Sequence, residues 1–67
     1  MIDLVGYDEI AQVLEVRFVS SGLTYQYVDV PKDAYEGLMQ STSKGRYMRH
    51  KIMESYDYFK LGKRYRQ

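Results

Sequence analysis

The stretch "SKGRYMRHK", residues 43 to 51, gathers the densest set of groups able to meet an anion. Ser43 suits the N-cap of a helix. Free backbone N–H groups at such a terminus, with the helix dipole, attract phosphate without help from any side chain. Gly45 lacks a Cβ and permits close approach by a phosphate or by another backbone. Lys44 and Arg46 stand beside that terminus, and Arg49 and His50 extend the positive side by another turn. Tyr47 offers a ring on which a base can stack. The same residues also describe a solvated helix face, with Gly45 serving tight packing against a sheet, because basic helix faces are common. A second stretch, "YDYFKLGKRYRQ", interleaves Tyr58, Phe59 and Tyr65 with Lys60, Lys63, Arg64 and Arg66. Alternating rings and cations is the composition of a single-strand contact, although a solubilising terminus looks the same.

Tyr25 and Tyr27 raise a different question. Two residues apart on a strand, they share one face, which is either core or an aromatic platform. The hairpin register decides between them. A loop of two residues (Ser21, Gly22) or of four sets Phe18 against Tyr25 and Val16 against Tyr27, so both rings join the core face. A three-residue loop of Ser20, Ser21 and Gly22 sets Tyr25 against Arg17 and Tyr27 against Glu15, an exposed platform with a cation beside it. Pattern favours the first, because it collects five apolar or aromatic residues on one side. Tyr25 and Tyr27 are therefore expected as core residues with hydroxyls near the edge.

Catalysis finds little support. The 67 residues include no cysteine, which removes thiolate nucleophiles, disulfides and cysteine-based zinc sites together. His50, the single histidine, lacks an evident nucleophile and orienting partner, and lacks the companions a metal site needs. Asp8 and Glu9 are a turn with adjacent charges. A non-enzymatic protein without cofactor or metal is expected.

Those side chains must be positioned by one small domain, since a chain of this length buries only about 60% of the surface it exposes unfolded. "IDLVGYD" suggests a first strand ending at or shortly after Gly6. "VLEVRFV", residues 13 to 19, alternates Leu14, Val16 and Phe18 with Glu15 and Arg17, which is strand period two. "SSG" supplies turn chemistry and "LTYQYVDV" a return strand, making a clear β-hairpin. Pro31 suits the first position of a helix of roughly ten residues carrying Tyr35, Leu38 and Met39. A second helix runs from Ser43 to about Ser55, with Gly45, Met48, Ile52 and Tyr56 along one side. An extended arm or short strand follows. The expected fold is α+β: a small antiparallel sheet of three or so strands with two short helices packed on one face. Its core takes Leu4, Leu14, Val16, Phe18, Tyr35, Leu38, Met48 and Ile52. Residues 1–60 form the domain, and 61–67 a basic tail whose order before binding is left open.

Net charge is +1, but it is unevenly divided. Met1 to Ser43 carries seven acidic and two basic residues, whereas Lys44 to Gln67 carries eight basic and two acidic ones. A basic end points to an anionic partner, or to complementary charge within or between copies of the chain. With no apolar run near the ~20 residues that span a bilayer and no leader pattern, the default compartment is the cytoplasm.

The order of landmarks, "VGYD", "LEVRF", "YQYVDVP", "AYEGL", "SKGRYMRHKI" and "YDYFKL", resembles the KTSC domain, named for the C-terminus of some lysyl-tRNA synthetases and also found alone in small bacterial and viral proteins. The resemblance runs from about Val5 to Leu61. It identifies Tyr25-Gln26-Tyr27 with the family's Tyr-x-Tyr and Ser43-Lys44-Gly45 with its Ser-x-Gly, and it implies RNA binding by suggestion from the synthetase context. Asp57 departs from the pattern where relatives often have proline, which leaves the start of the arm less rigid.

Three functions follow as expectations. One is contact with RNA or another phosphate-bearing ligand through Ser43, Lys44, Gly45, Arg46, Tyr47, Arg49, His50, Tyr58, Lys60, Lys63 and Arg64. Another is a protein-interaction or self-assembling module that inhibits or stabilises a partner. A third is a homo-oligomer that sequesters a small nucleotide.

Overall fold

The structure, a computed structural model, describes residues 2–62. Four strands form one antiparallel sheet in the order β1 (Ile2–Asp8), β2 (Val13–Phe18), β3 (Thr24–Tyr27) and β4 (Tyr58–Gly62). Between β3 and β4 lie α1 (Lys32–Gln40) and α2 (Lys44–Tyr47), the latter continuing directly into a π-helical segment, Met48–Ile52. The helices cover one face, where Leu14, Val16, Tyr27, Val30, Leu38, Met48 and Ile52 form the buried core. This is the α+β arrangement expected, with the C-terminal arm supplying a fourth strand. Because β4 runs through Gly62, Leu61 and Gly62 belong to the sheet and not to a tail. The expected basic tail from Lys63 onward lies outside the described residues.

The β1–β2 ladder contains an irregularity that moves one expected core residue. Ile2 pairs with Phe18 and Leu4 with Arg17, so Asp3 is an extra residue in β1. Beyond this bulge Val5 and Tyr7 oppose Val16 and Leu14 and pack on the core. Leu4, expected in the core, is only partly buried and stands opposite Arg17. Asp3 itself holds Arg17, Oδ1 accepting from Nε at 2.9 Å.

The β2–β3 hairpin closes with a four-residue loop, Val19 to Gly22. Gly22 N–H donates to the Phe18 carbonyl at 2.8 Å and Phe18 N–H to Leu23 at 3.0 Å. Gly22 takes φ 72°, a conformation that costs glycine little. A four-residue loop was expected to give the Phe18–Tyr25 and Val16–Tyr27 pairs, but those belong to the two-residue loop alone; the four-residue loop pairs Val16 with Tyr25 and Leu14 with Tyr27, two residues away. A shift of two changes the partner without turning any side chain over, so the expected face is kept.

β3 stops at Tyr27, short of the expected Val30, because Asp29 has φ 57° and breaks the extended path. Val30 is then fully buried, its N–H donating to the Gln12 carbonyl at 2.9 Å. Pro31 occupies the N-cap of α1, one position before the expected one, and its carbonyl accepts from Ala34 and Tyr35. Leu38 faces the core, whereas Met39, grouped with it on sequence spacing, is 42% exposed. The second helix ends at Ile52 and not near Ser55. Its last turn widens, Met53 N–H donating to the Met48 carbonyl at 2.7 Å in an i to i+5 bond.

Candidate nucleic-acid interface

Ser43 caps α2 as its residue type dictates: its side chain accepts from Arg46 N–H at 3.4 Å and its carbonyl from Tyr47 N–H at 3.0 Å. Ser41 Oγ accepts from the Ser43 N–H at 3.1 Å and donates to the Ser43 carbonyl at 2.9 Å, which fixes the entry to the turn. Two of the terminal N–H groups are thus used internally, and α2 is four residues long before it widens. A strong dipole-based phosphate site at this terminus is correspondingly less favoured than the sequence suggested.

From that cap onward the basic side chains fan outward. Lys44 is half-buried, while Arg46, Arg49, His50 and Lys51 are exposed. Burial of Met48 and Ile52 forces this, since residues four apart share a face and the intervening ones must turn away. The ion pairs among the described residues are Asp3–Arg17 and Glu9–Lys32, the latter at 3.6 Å. Neither engages the basic run. Gly45 is exposed, and a Cβ built there meets nothing within 4 Å, so it is not required for packing on the sheet. Tyr47 behaves differently from the expected stacking ring. It is half-buried against the core, with its hydroxyl against Gly37 of α1. A Cβ at Gly37 would overlap that hydroxyl and lie 2.9 Å from Cζ. Tyr47 joins α2 to α1.

The rings at the other end of the helix form a second constellation. Tyr27 is 2% exposed and Tyr25 is half-buried, so the expected core placement holds fully for the first and partly for the second. Tyr58, across the ladder from Tyr27, is 52% exposed. The three rings contact one another at centroid distances of 5.3 to 6.3 Å, and Phe18 meets Tyr25 edge-on at 5.5 Å. Burial, then the neighbouring Tyr25 and Tyr58, push the Tyr27 hydroxyl up to about 12. Lys60 opposes Tyr25 in the β3–β4 register and therefore shares the face that carries Tyr58. Lys63 and Arg64 lie outside the described residues.

Phe18, Ser20, Ser21 and Met53 border these tyrosines, and none of the four was singled out as a site residue. Their meeting depends on where the hairpin tip falls relative to the helix end, for which local sequence carries no signal. Lys51 was available in the same basic run. Among the described residues no three histidine, cysteine or carboxylate groups cluster as a metal site. No helix there is long and apolar enough to cross a membrane.

A four-stranded antiparallel sheet with two helices on one face and a capped Ser-x-Gly turn defines a class of small α+β domain. Residues 1–56 match the KTSC domain family model. The chain belongs to that family. It is 38% identical to a protein of Tsukamurella paurometabola over 47 residues, covering 70% of this chain and 69% of the relative. It is 37% identical to a protein of Stutzerimonas stutzeri over 57 residues, covering 84% and 79%. The crystal structure of a KTSC domain protein from Yersinia pestis superposes with a TM-score of 0.85 at 38% identity, covering 91% of this chain and 84% of that one.

Proposed function

We propose that this chain is a non-enzymatic binding domain for single-stranded RNA, or another phosphate-bearing ligand, held along the basic helical face and the C-terminal arm. The observation that carries this reading is the run Arg46, Arg49, His50 and Lys51. All four are exposed, and none is in an ion pair among the described residues. Arginine forks suit phosphate oxygens, and cations without carboxylate partners are available to displace counterions from a nucleic acid. Arg17 and Lys32, by contrast, each lie beside a carboxylate.

Fluorescence anisotropy of labelled single-stranded RNA tests the reading. Arg46→Ala/Arg49→Ala is expected to weaken binding roughly tenfold or more, while Lys32→Ala leaves it unchanged. Equal affinities for all three proteins would remove the helix face from the account. Absence of RNA binding by the wild type would shift it to a protein partner or to self-association.

A further inference from the structure

Between the tip of the β2–β3 hairpin and the end of the π segment lies an open cleft of about 440 Å³. Small-molecule sites run from roughly 300 to 1,000 Å³. Tyr27 forms a buried floor, Tyr25 and Tyr58 line the sheet side, Met53 lines the helix side, and Ser20 and Ser21 line the hairpin side.

We propose that this cleft takes a nucleotide unit, its base against the rings of Tyr25 and Tyr58 and its phosphate toward Lys60. The choice of ligand class rests on the phosphate-binding reading above; the site itself is separate from the basic helix face.

Three observations converge on it. The Tyr25 and Tyr58 planes are inclined at 55° with centroids 5.3 Å apart, so the two rings touch without stacking on each other. Tyr58 is 52% and Met53 42% exposed, which leaves a ring and a polarisable thioether, both lining the cleft, with free surface for a flat guest. The cleft lining is also partly polar and contains no carboxylate, Glu54 and Asp57 lying on the adjoining cavity that shares Met53 and Tyr58. Phenol and serine hydroxyls surround the rings, and the register sets Lys60 beside Tyr25. A base satisfies hydroxyl donors and acceptors that an aliphatic side chain would leave without partners. A phosphate matches the lysine charge. The family model ends at Tyr56, so Tyr58 and Lys60 lie beyond the matched segment.

The test is an NMR titration of the full chain with AMP, adenosine, inorganic phosphate and single-stranded RNA. AMP is expected to shift the Tyr25, Met53 and Tyr58 signals, adenosine to shift them with lower affinity, and phosphate alone to leave them in place. Tyr58→Leu, at an exposed position that tolerates change, should weaken AMP binding about tenfold or more. Tyr58→Phe should retain it, and Lys60→Gln should reduce AMP to the affinity of adenosine. AMP shifts confined to other residues, or AMP affinity unchanged in Tyr58→Leu, overturn the proposal. RNA that binds through the helix while AMP leaves the rings unmoved would overturn the cleft and spare the helix reading. AMP bound at the rings with no RNA binding at all would support the cleft and remove the polymer.

Discussion

At Tyr27 a phenol whose ring is buried sits beside two other phenols, and its neutral form is favoured by the fold. The unfolded chain gives up this proton near pH 10, the folded one at about 12. Below pH 10 the group leaves stability unchanged with pH. Between the two values the unfolded state binds fewer protons, so stability should fall by up to about 1.4 kcal/mol per pH unit. Ultraviolet titration should show late-ionising tyrosine, to which Tyr7, raised by burial and by Glu9, also contributes, and the part that ionises last should be lost in Tyr27→Phe. A second residue-scale prediction concerns Gly37. Alanine within a helix gains about 1 kcal/mol over glycine in propensity, but here its Cβ meets the Tyr47 ring. Urea unfolding should show no gain for Gly37→Ala alone, and the gain should emerge in a Tyr47→Leu background. Tyr47 is also where residue type misled. A tyrosine among arginines matches a base-stacking ring, and only the position of α1 reveals that it packs on Gly37.

Elements were legible where a local rule governs them. Period two marked β2, turn residues marked the hairpin, and the serine before a basic turn marked the cap of α2. Replacing that cap, Ser43→Ala, should cost about 1 kcal/mol in thermal or urea unfolding. The bond to Arg46 N–H is long at 3.4 Å, so the loss is expected in the lower part of the range seen for such caps. Illegible features arise from single residues that interrupt a rule. Asp3 bulges and moves Leu4 out of the core; Asp29 turns left-handed and shortens β3; one widened turn ends the second helix at Ile52. Hairpin register was legible only modulo two. Alternation fixes the face a side chain occupies, while loop length, here four residues, fixes its partner.

On the scale of the molecule, the division of charge visible in the sequence is only partly a division in space, since Asp33 of α1 and Lys51 of the basic run line one cavity. Both ion pairs among the described residues lie in the acidic N-terminal part, and the basic helix stands apart from them. This part of the site was legible because its residues are contiguous on one helix. The aromatic cleft was not, because β2, β3, β4 and the helix end each contribute to it from distant parts of the chain. The central claim is that the basic helical face binds single-stranded nucleic acid by releasing counterions. Its most direct measurement is the RNA association constant across a salt series for the wild type and for Arg46→Ala/Arg49→Ala. We predict a linear fall of log K with log salt, with a slope shallower by about 1.4 in the double variant, since each lost phosphate contact removes about 0.7. An unchanged slope, or a wild-type affinity indifferent to salt, would contradict the account.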